Sequence, residues 1–254
     1  MRTDEIKLLL DQKVFEYNRS EFIVEDPISI PHLFSLKENI EISGFLAATL
    51  SWGRRDQILK SARKLMGLMD DNPYEFLVYG SESDWSRFNH FYYRTFQECD
   101  CLYFIFALKE IYKFGGGLES LFTKGYKKGG VKEALVFFRS RFFSFNPPER
   151  TLKHVSNVQK GASAKRLNMF LRWMVRKDNA GVDFGIWEDI SPGDLYLPLD
   201  VHTGNVARNL GLLKRKQNDW KSVEEITSVL RSFDAKDPVK YDFALFGLGI
   251  NENR

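Results

Sequence analysis

A lysine and an aspartate, 35 residues apart, are the side chains in this sequence best suited to chemistry. Lys165 lies in a block from Arg150 to Lys177 that carries eight Lys and Arg residues and no Asp or Glu. Asp200 ends a block from Asp178 that carries six Asp and Glu residues and no Lys or Arg. The change of sign indicates a basic, phosphate-binding surface beside a carboxylate. By residue type alone, a lysine on a helix such as Lys165 is most often a solvated side chain, and a nucleophilic amine is the less common role.

Asp200 is predicted to begin a helix. Pro198 favours an extended residue before it, apolar residues recur at helical spacing from Val206 to Leu213, and Gly211 is a suitable helix-ending residue. As the N-cap, the carboxylate would accept the first backbone N–H groups, stay ionised and keep a fixed direction. Capping is a structural role by itself, and it does not exclude catalysis.

The segment Lys160–Lys177 is predicted to be a helix with two distinct faces. One face is an apolar stripe for the core: Leu167, Phe170, Leu171 and Met174. The other face combines cations with large apolar side chains: Lys165, Met169, Arg172, Arg176 and the flanking Trp173. A purely solvated face would not usually carry Met and Trp, so this face is predicted to look into a cleft or onto a partner.

The stretch LPLDVHTGNVARNLGLL (Leu197–Leu213) resembles a motif of the helix-hairpin-helix DNA glycosylase superfamily. In that superfamily the Asp is catalytic, and the members with a Lys nucleophile carry it at the start of the helix after the hairpin. The resemblance assigns these roles to Asp200 and to Lys165 in GASAKRLNMFLRWM. The Lys-to-Asp spacing is wider than in the endonuclease III branch and closer to the archaeal 8-oxoguanine DNA glycosylase branch. The hairpin departs from the family pattern, because its usual two glycines are reduced to Lys160-Gly161.

The resemblance implies an all-α, two-lobed fold that acts on double-stranded DNA. Residues 35–180 would form a middle lobe with the hairpin, and residues 1–34 plus 181–254 a second lobe, with Lys165 and Asp200 facing each other across the cleft. Lys165, made neutral by desolvation and neighbouring positive charge, would displace an oxidised purine and form a Schiff base with the sugar. Asp200 would stabilise positive charge on the sugar. Strand scission by β-elimination can follow, and no metal or organic cofactor is needed.

Several residues are assigned to DNA binding. Lys160 and Gly161 lie at the hairpin, and Arg172 and Arg176 belong to the basic face. The helix-loop-helix within Glu41–Met66 resembles the one whose loop fills the gap left by an extruded base. That loop holds three residues assigned to DNA contact here: Trp52, Arg54 and Arg55. Without the resemblance, Trp52 is more often a core or inter-lobe aromatic, and the cations could be an ordinary wet surface.

Composition limits the class of protein. A chain of 254 residues with 43% hydrophobic residues can pack one large domain or two modest lobes. Its net charge of +3 is mildly basic. Cys99 and Cys101 are too few for a disulfide framework or a four-cysteine cluster, which excludes the iron–sulfur cluster of many endonuclease III relatives. No apolar run approaches membrane-spanning length and the N-terminus lacks a signal-peptide core, so a cytoplasmic, nucleoid-associated monomer is expected.

Local signals predict where several helices begin. Helices are expected at Ile6–Tyr17, near Leu102–Lys113 and near Val131–Phe143, with others starting at Asn72-Pro73, Asp219 and Asp237-Pro238. An extended connector is expected at Phe22–Phe34, followed by a capping box at Ser35–Glu38.

Two alternatives to the glycosylase remain open at this level. One is a non-catalytic nucleic-acid-binding helical protein with the same fold. The other is a metal-assisted hydrolase that uses Asp200, His202 and His154, although two histidines without tight spacing make a weak metal site.

Overall fold

The computed structural model describes residues 2–251, and within that range the regular structure is helical, with two isolated β-bridges and no strand. The all-α prediction is confirmed. The α-helices are α1 (Thr3–Tyr17), α2 (Glu21–Glu25), α3 (Lys37–Leu50), α4 (Arg55–Gly67), α5 (Pro73–Tyr79), α6 (Glu98–Phe114), α7 (Gly117–Phe142), α8 (Lys165–Val175), α9 (Val201–Asn209), α10 (Trp220–Phe233) and α11 (Tyr241–Asn251). No helix in the described range is both long and apolar enough to cross a membrane.

The chain divides into two compact units. The central unit is the continuous stretch Glu25–Ser156, and the terminal unit combines Met1–Val24 with Asn157–Arg254. These boundaries differ from the predicted lobes, which kept residues 25–34 with the termini and residues 157–180 with the middle of the chain. The physical reason for the second difference is that α8 is tied by ion pairs to carboxylates that follow it, including Asp183 and Asp242.

The terminal unit is built around α11, which packs against both α1 and α9. From α1, Ile6 and Leu10 are buried, and the Tyr241 hydroxyl of α11 donates to Asp11 Oδ1 at 2.9 Å. Contacts between the first and the last helix therefore close this unit. The apolar stripe predicted for α8 is buried as expected.

The central unit is organised around α3, in which every residue from Asn39 to Leu50 is buried. Phe45 of this helix lies within 5.9 Å, ring centre to ring centre, of Phe104, Phe138 and Phe142. Burial of such rings is a large source of stability in a helical domain.

Helix α7 is interrupted at Gly129 and Gly130, where the backbone leaves helical geometry. The chain reverses there, since a Cβ on Gly125 would lie 2.7 Å from the Cα of Ala134. Only a residue without a side chain permits the two halves to approach so closely. The expected helix at Val131–Phe143 therefore corresponds to the second half of α7.

Most of the predicted helix starts are observed, and two local predictions are wrong. The expected connector Phe22–Phe34 instead holds the end of α2 and two 3-10 turns, Pro27–Ser29 and Pro31–Leu33. Each proline opens its turn, because a fixed φ suits the first helical position. The capping box at Ser35 does not form, since α3 has Leu36 as its N-cap with no side-chain hydrogen bond.

Candidate active site

Lys165 is the first residue of α8. The residue before it, Ala164, has a left-handed backbone with a φ of 51°. The turn that precedes it, Val158–Lys160 with Gly161, is held in place by α10, because the backbone N–H of Trp220 donates to the Gly161 carbonyl at 2.9 Å. Helix α10 therefore anchors the turn that leads into Lys165.

Asp200 is the N-cap of α9, as predicted. Its Oδ1 accepts from the Thr203 backbone N–H at 2.9 Å and from the Thr203 hydroxyl at 2.7 Å. The Asp200 N–H donates back to the Thr203 Oγ1 at 3.2 Å, which completes a capping box. These bonds hold Oδ1 in place. Because the carboxylate group is rigid, they also set the direction of Oδ2.

The second carboxylate oxygen faces the lysine. Lys165 Nζ lies 3.5 Å from Asp200 Oδ2, and the two side chains are 29% and 25% exposed. Burial alone would raise the pKa of the Asp200 carboxyl, but the Lys165 ammonium and the Thr203 hydrogen bonds hold that pKa below its ordinary value. The terminal unit thus holds an ionised carboxylate and an amine in contact, both reachable by solvent.

Arg172 and Arg176 do not form a DNA-binding surface. They are 3% and 2% exposed. Arg172 pairs with Asp183 at 3.2 Å and with Asp242, while Arg176 pairs with Asp183 at 3.0 Å and with Asp237 at 3.0 Å. The assignment of these two arginines to phosphate contacts is wrong, because buried guanidinium groups satisfied by carboxylates are not available to a backbone phosphate.

Asp242 is a member of this arrangement that the sequence reading missed. Burial raises the pKa of the Asp242 carboxyl to about 6, against the opposing effects of Arg172 and Lys165. The charge of Asp242 therefore acts on Lys165 and Asp200 from the interior of the unit. A carboxylate within the apolar stretch YDFALFGLG is a signal that could have indicated a buried partner.

Removing the Arg172 guanidinium should strongly destabilise the terminal unit. In Arg172→Ala, the carboxylates of Asp183 and Asp242 stay buried without this partner, so the free energy of unfolding should fall by about 3–5 kcal/mol. Urea unfolding measures the change. Lys177→Ala, which removes an exposed cation just beyond the same helix, is the control and should change stability by less than about 0.5 kcal/mol. Equal stabilities of the two variants would show that the buried pairs contribute nothing.

Lys160 and Gly161, where the hairpin was predicted, are exposed, but the backbone donors of this turn are used internally. Asn157 Oδ1 accepts from the Gln159 and Lys160 N–H groups, and the Gly161 N–H donates to the Val158 carbonyl at 3.0 Å. Gly161 has a φ of 85°, which favours glycine at this position. The group left for a phosphate contact here is the Lys160 ammonium rather than the backbone.

In the central unit, Trp52 and Arg54 lie in the loop between α3 and α4, and Arg55 is the first residue of α4. Trp52 is half-buried: its ring packs edge-on against Tyr93 at 5.1 Å, and its carbonyl accepts from the Tyr93 hydroxyl at 2.5 Å. Arg54 is exposed and pairs with Asp56 at 2.9 Å. The helix-loop-helix prediction for this segment is confirmed, whereas the predicted DNA contact remains a prediction.

The histidines of the metal alternative do not meet in a ligand cluster. His154 is buried in the central unit, with its Nε2 3.2 Å from Asp100 Oδ2, and Asp100 also pairs with Arg150 at 3.3 Å. Across the described residues, no group of three or more His, Cys, Asp or Glu side chains is arranged to hold a metal ion. Arg150, counted in the basic block, thus has a structural partner.

Comparison with known proteins adds one match. The family model described as "Protein of unknown function (DUF2400)" matches residues 26–251. No curated protein and no solved structure matches the chain.

Proposed function

The chain belongs to the family described as "Protein of unknown function (DUF2400)", and we propose that it is a DNA glycosylase with lyase activity that removes an oxidised purine from double-stranded DNA. The observation that carries this proposal is the 3.5 Å approach of Lys165 Nζ to Asp200 Oδ2. Both residues begin helices, and both side chains are partly exposed, so a substrate atom can reach the pair.

In the proposed reaction, Lys165 Nζ attacks the sugar C1′, and the bond from C1′ to the base breaks. Positive charge develops on the sugar at this stage, and the Asp200 carboxylate lies close enough to the amine to stabilise it. Opening of the sugar ring then gives an imine between Lys165 and C1′. Loss of a proton from C2′ and departure of the 3′ phosphate would nick the strand.

The amine must lose a proton before it can attack. The expected neighbour of Lys165 was a positive charge, whereas the group observed in contact with it is the carboxylate of Asp200. We therefore assign to Asp200 Oδ2 the relay of that proton from Lys165 to the departing base, which leaves the carboxylate ionised when positive charge develops on the sugar. Oδ1 is already engaged by Thr203, so the two oxygens have separate tasks.

DNA contacts are assigned to exposed or half-buried groups in each unit. Lys160 of the terminal unit would neutralise a phosphate, and in the central unit Arg54 and Arg55 would do the same beside Trp52. Trp52 is proposed to fill the space left by the extruded nucleotide, because an unstacked base pair costs a few kcal/mol unless the gap is filled.

Borohydride trapping of the wild-type protein tests the proposed function. An imine intermediate is reduced to a permanent protein–DNA adduct, which migrates as a single slower band on a denaturing gel. The adduct is expected with duplexes that contain an oxidised purine or an abasic site, and not with undamaged duplex.

Absence of an adduct and of base release across a panel of lesions would overturn the proposal. Salt-dependent DNA binding that persisted in that case would favour a non-catalytic nucleic-acid-binding protein.

A further inference from the structure

The carbonyl of Asp200 receives a hydrogen bond from far along the chain. It accepts from the Gly204 N–H at 3.0 Å, as in any helix start, and also from Asn218 Nδ2 at 3.1 Å. Asn218 lies in the loop that joins α9 to α10, 18 residues after Asp200. The second bond restrains the peptide plane that follows the capping residue, and hence the direction of its side chain.

Asn218 is itself oriented by Arg208. Arg208 Nη2 donates to Asn218 Oδ1 at 2.6 Å, and Arg208 Nε donates to the Arg215 carbonyl at 2.7 Å. Since the guanidinium can only donate, it fixes the amide with its oxygen toward Arg208 and its NH₂ toward Asp200. Arg208, which belongs to α9, therefore holds the α9–α10 loop against its own helix. Asp200 is the N-cap of that helix.

Gly204 makes room for this arrangement. A Cβ at position 204 would lie 2.8 Å from Asn218 Oδ1 and 2.9 Å from Arg208 Nη1. Glycine within a helix costs about 0.5–1 kcal/mol relative to alanine, so its presence here has a local explanation in the space that Asn218 occupies. Of the other residues in the first turn of α9, Val201 and His202 are exposed and Thr203 is buried.

From these contacts we infer that Asn218 is a positioning residue. Together with Gly204 and Arg208, it holds the Asp200 carboxylate at the observed distance from Lys165 Nζ. The inference rests on the proposed function for its catalytic consequence, whereas the hydrogen-bond network stands independently of it. Misplacement of a reacting group by about 1 Å can cost about a hundredfold in rate, even when no contact with substrate is lost.

Single-turnover base release at saturating damaged DNA tests the inference. Asn218→Asp is isosteric and keeps the acceptor for Arg208, but it loses the donor to the Asp200 carbonyl. We expect Asn218→Asp and Asn218→Ala to lower the rate by about tenfold to a hundredfold, with the DNA Kd within about twofold of wild type. Asn209→Ala, a control at an exposed position of α9, should release base at the wild-type rate. A near-normal rate for Asn218→Asp would mean that Asn218 only secures the loop, and the inference would be overturned.

A double-mutant cycle provides a second test. Gly204→Ala should lower the rate because its methyl group displaces the Asn218 amide. In the Asn218→Ala background the clash with Asn218 Oδ1 is gone and only the flexible end of the Arg208 side chain remains near the new methyl group, so Gly204→Ala should add little further loss. If the double variant lost rate by the product of the two single losses, Gly204 and Asn218 would act separately. That result would overturn the inference.

Hydrogen exchange separates this inference from the proposed function. If wild type releases no base and traps no DNA, the proposed function fails, but the Thr203 amide still reports on the cap, because it donates to Asp200 Oδ1. Faster exchange of that amide in Asn218→Ala than in Asn209→Ala would support the positioning role. Identical exchange in the two variants would overturn it.

Discussion

Lys165→Gln is expected to abolish the borohydride-trapped adduct and to leave DNA binding intact. Glutamine keeps the approximate length of the side chain but has no nucleophilic amine, so no imine can form. The fold should survive, because a partly exposed ion pair of this kind contributes only about 0–1 kcal/mol. The adduct is measured on a denaturing gel with an oligonucleotide that carries an abasic site, beside a binding isotherm for the same duplex.

Lys160→Gln is the matched control for this prediction. Lys160 lies five residues earlier, at the end of an exposed 3-10 turn, where its ammonium is suited to a phosphate rather than to a reaction. We expect this variant to trap DNA as wild type does and to bind somewhat more weakly. If Lys160→Gln lost trapping and Lys165→Gln trapped DNA normally, the nucleophile would be Lys160, and its assignment to Lys165 would be wrong.

Asp200→Asn is expected to lower base release by about 10²–10⁴-fold while DNA binding is largely preserved. Asparagine caps a helix about as well as aspartate, and its amide oxygen can still accept from the Thr203 N–H, so α9 should form. What is lost is the negative charge beside Lys165 and the acceptor for its proton. Single-turnover base release with a damaged duplex gives the rate.

Asp219→Asn controls for the capping role alone. Asp219 is the N-cap of α10 in the same unit, and its side chain accepts from the Ser222 N–H at 2.9 Å. The two substitutions remove the same charge from the same kind of helix position, but only one lies beside Lys165. Equal rates in the two variants would reduce Asp200 to a structural residue.

The lowered pKa of Asp200 also sets the direction of a pH effect on stability. Its ionised form is favoured in the folded state, so its contribution to the free energy of unfolding is present above the usual pKa of an aspartate. This contribution is lost as the pH falls through the lowered value. At neutral pH the Asp200 carboxylate is therefore ionised.

The features that could be predicted from the sequence are those set by nearby residues. Asp200 was identified as a cap because an extended Pro-containing approach, a capping side chain and a helical pattern all lie within a few residues of it. The start of the helix at Lys165 was placed five residues too early, since Lys160 belongs to a separate turn. A left-handed residue such as Ala164 gives no compositional signal of where a helix begins.

The buried arginines show what local patterns cannot supply. The sequence assigns Arg172 and Arg176 to a DNA-binding face because no acidic residue lies among the cations from Arg150 to Lys177. Their partners come later in the chain, at Asp183, Asp237 and Asp242, and only folding brings them together. Charge blocks along a sequence therefore do not indicate which cations reach the surface.

The division of the chain has a consequence for the order of assembly during synthesis. The central unit is one continuous stretch and can form all its own contacts once residue 156 has left the ribosome, since chains emerge from the N-terminus. Helix α1 must wait until α11 has been made before Ile6 and Leu10 are covered. Asp242, the buried partner of Arg172, arrives with the same helix. The surroundings of Lys165 are therefore complete only after α11 has left the ribosome.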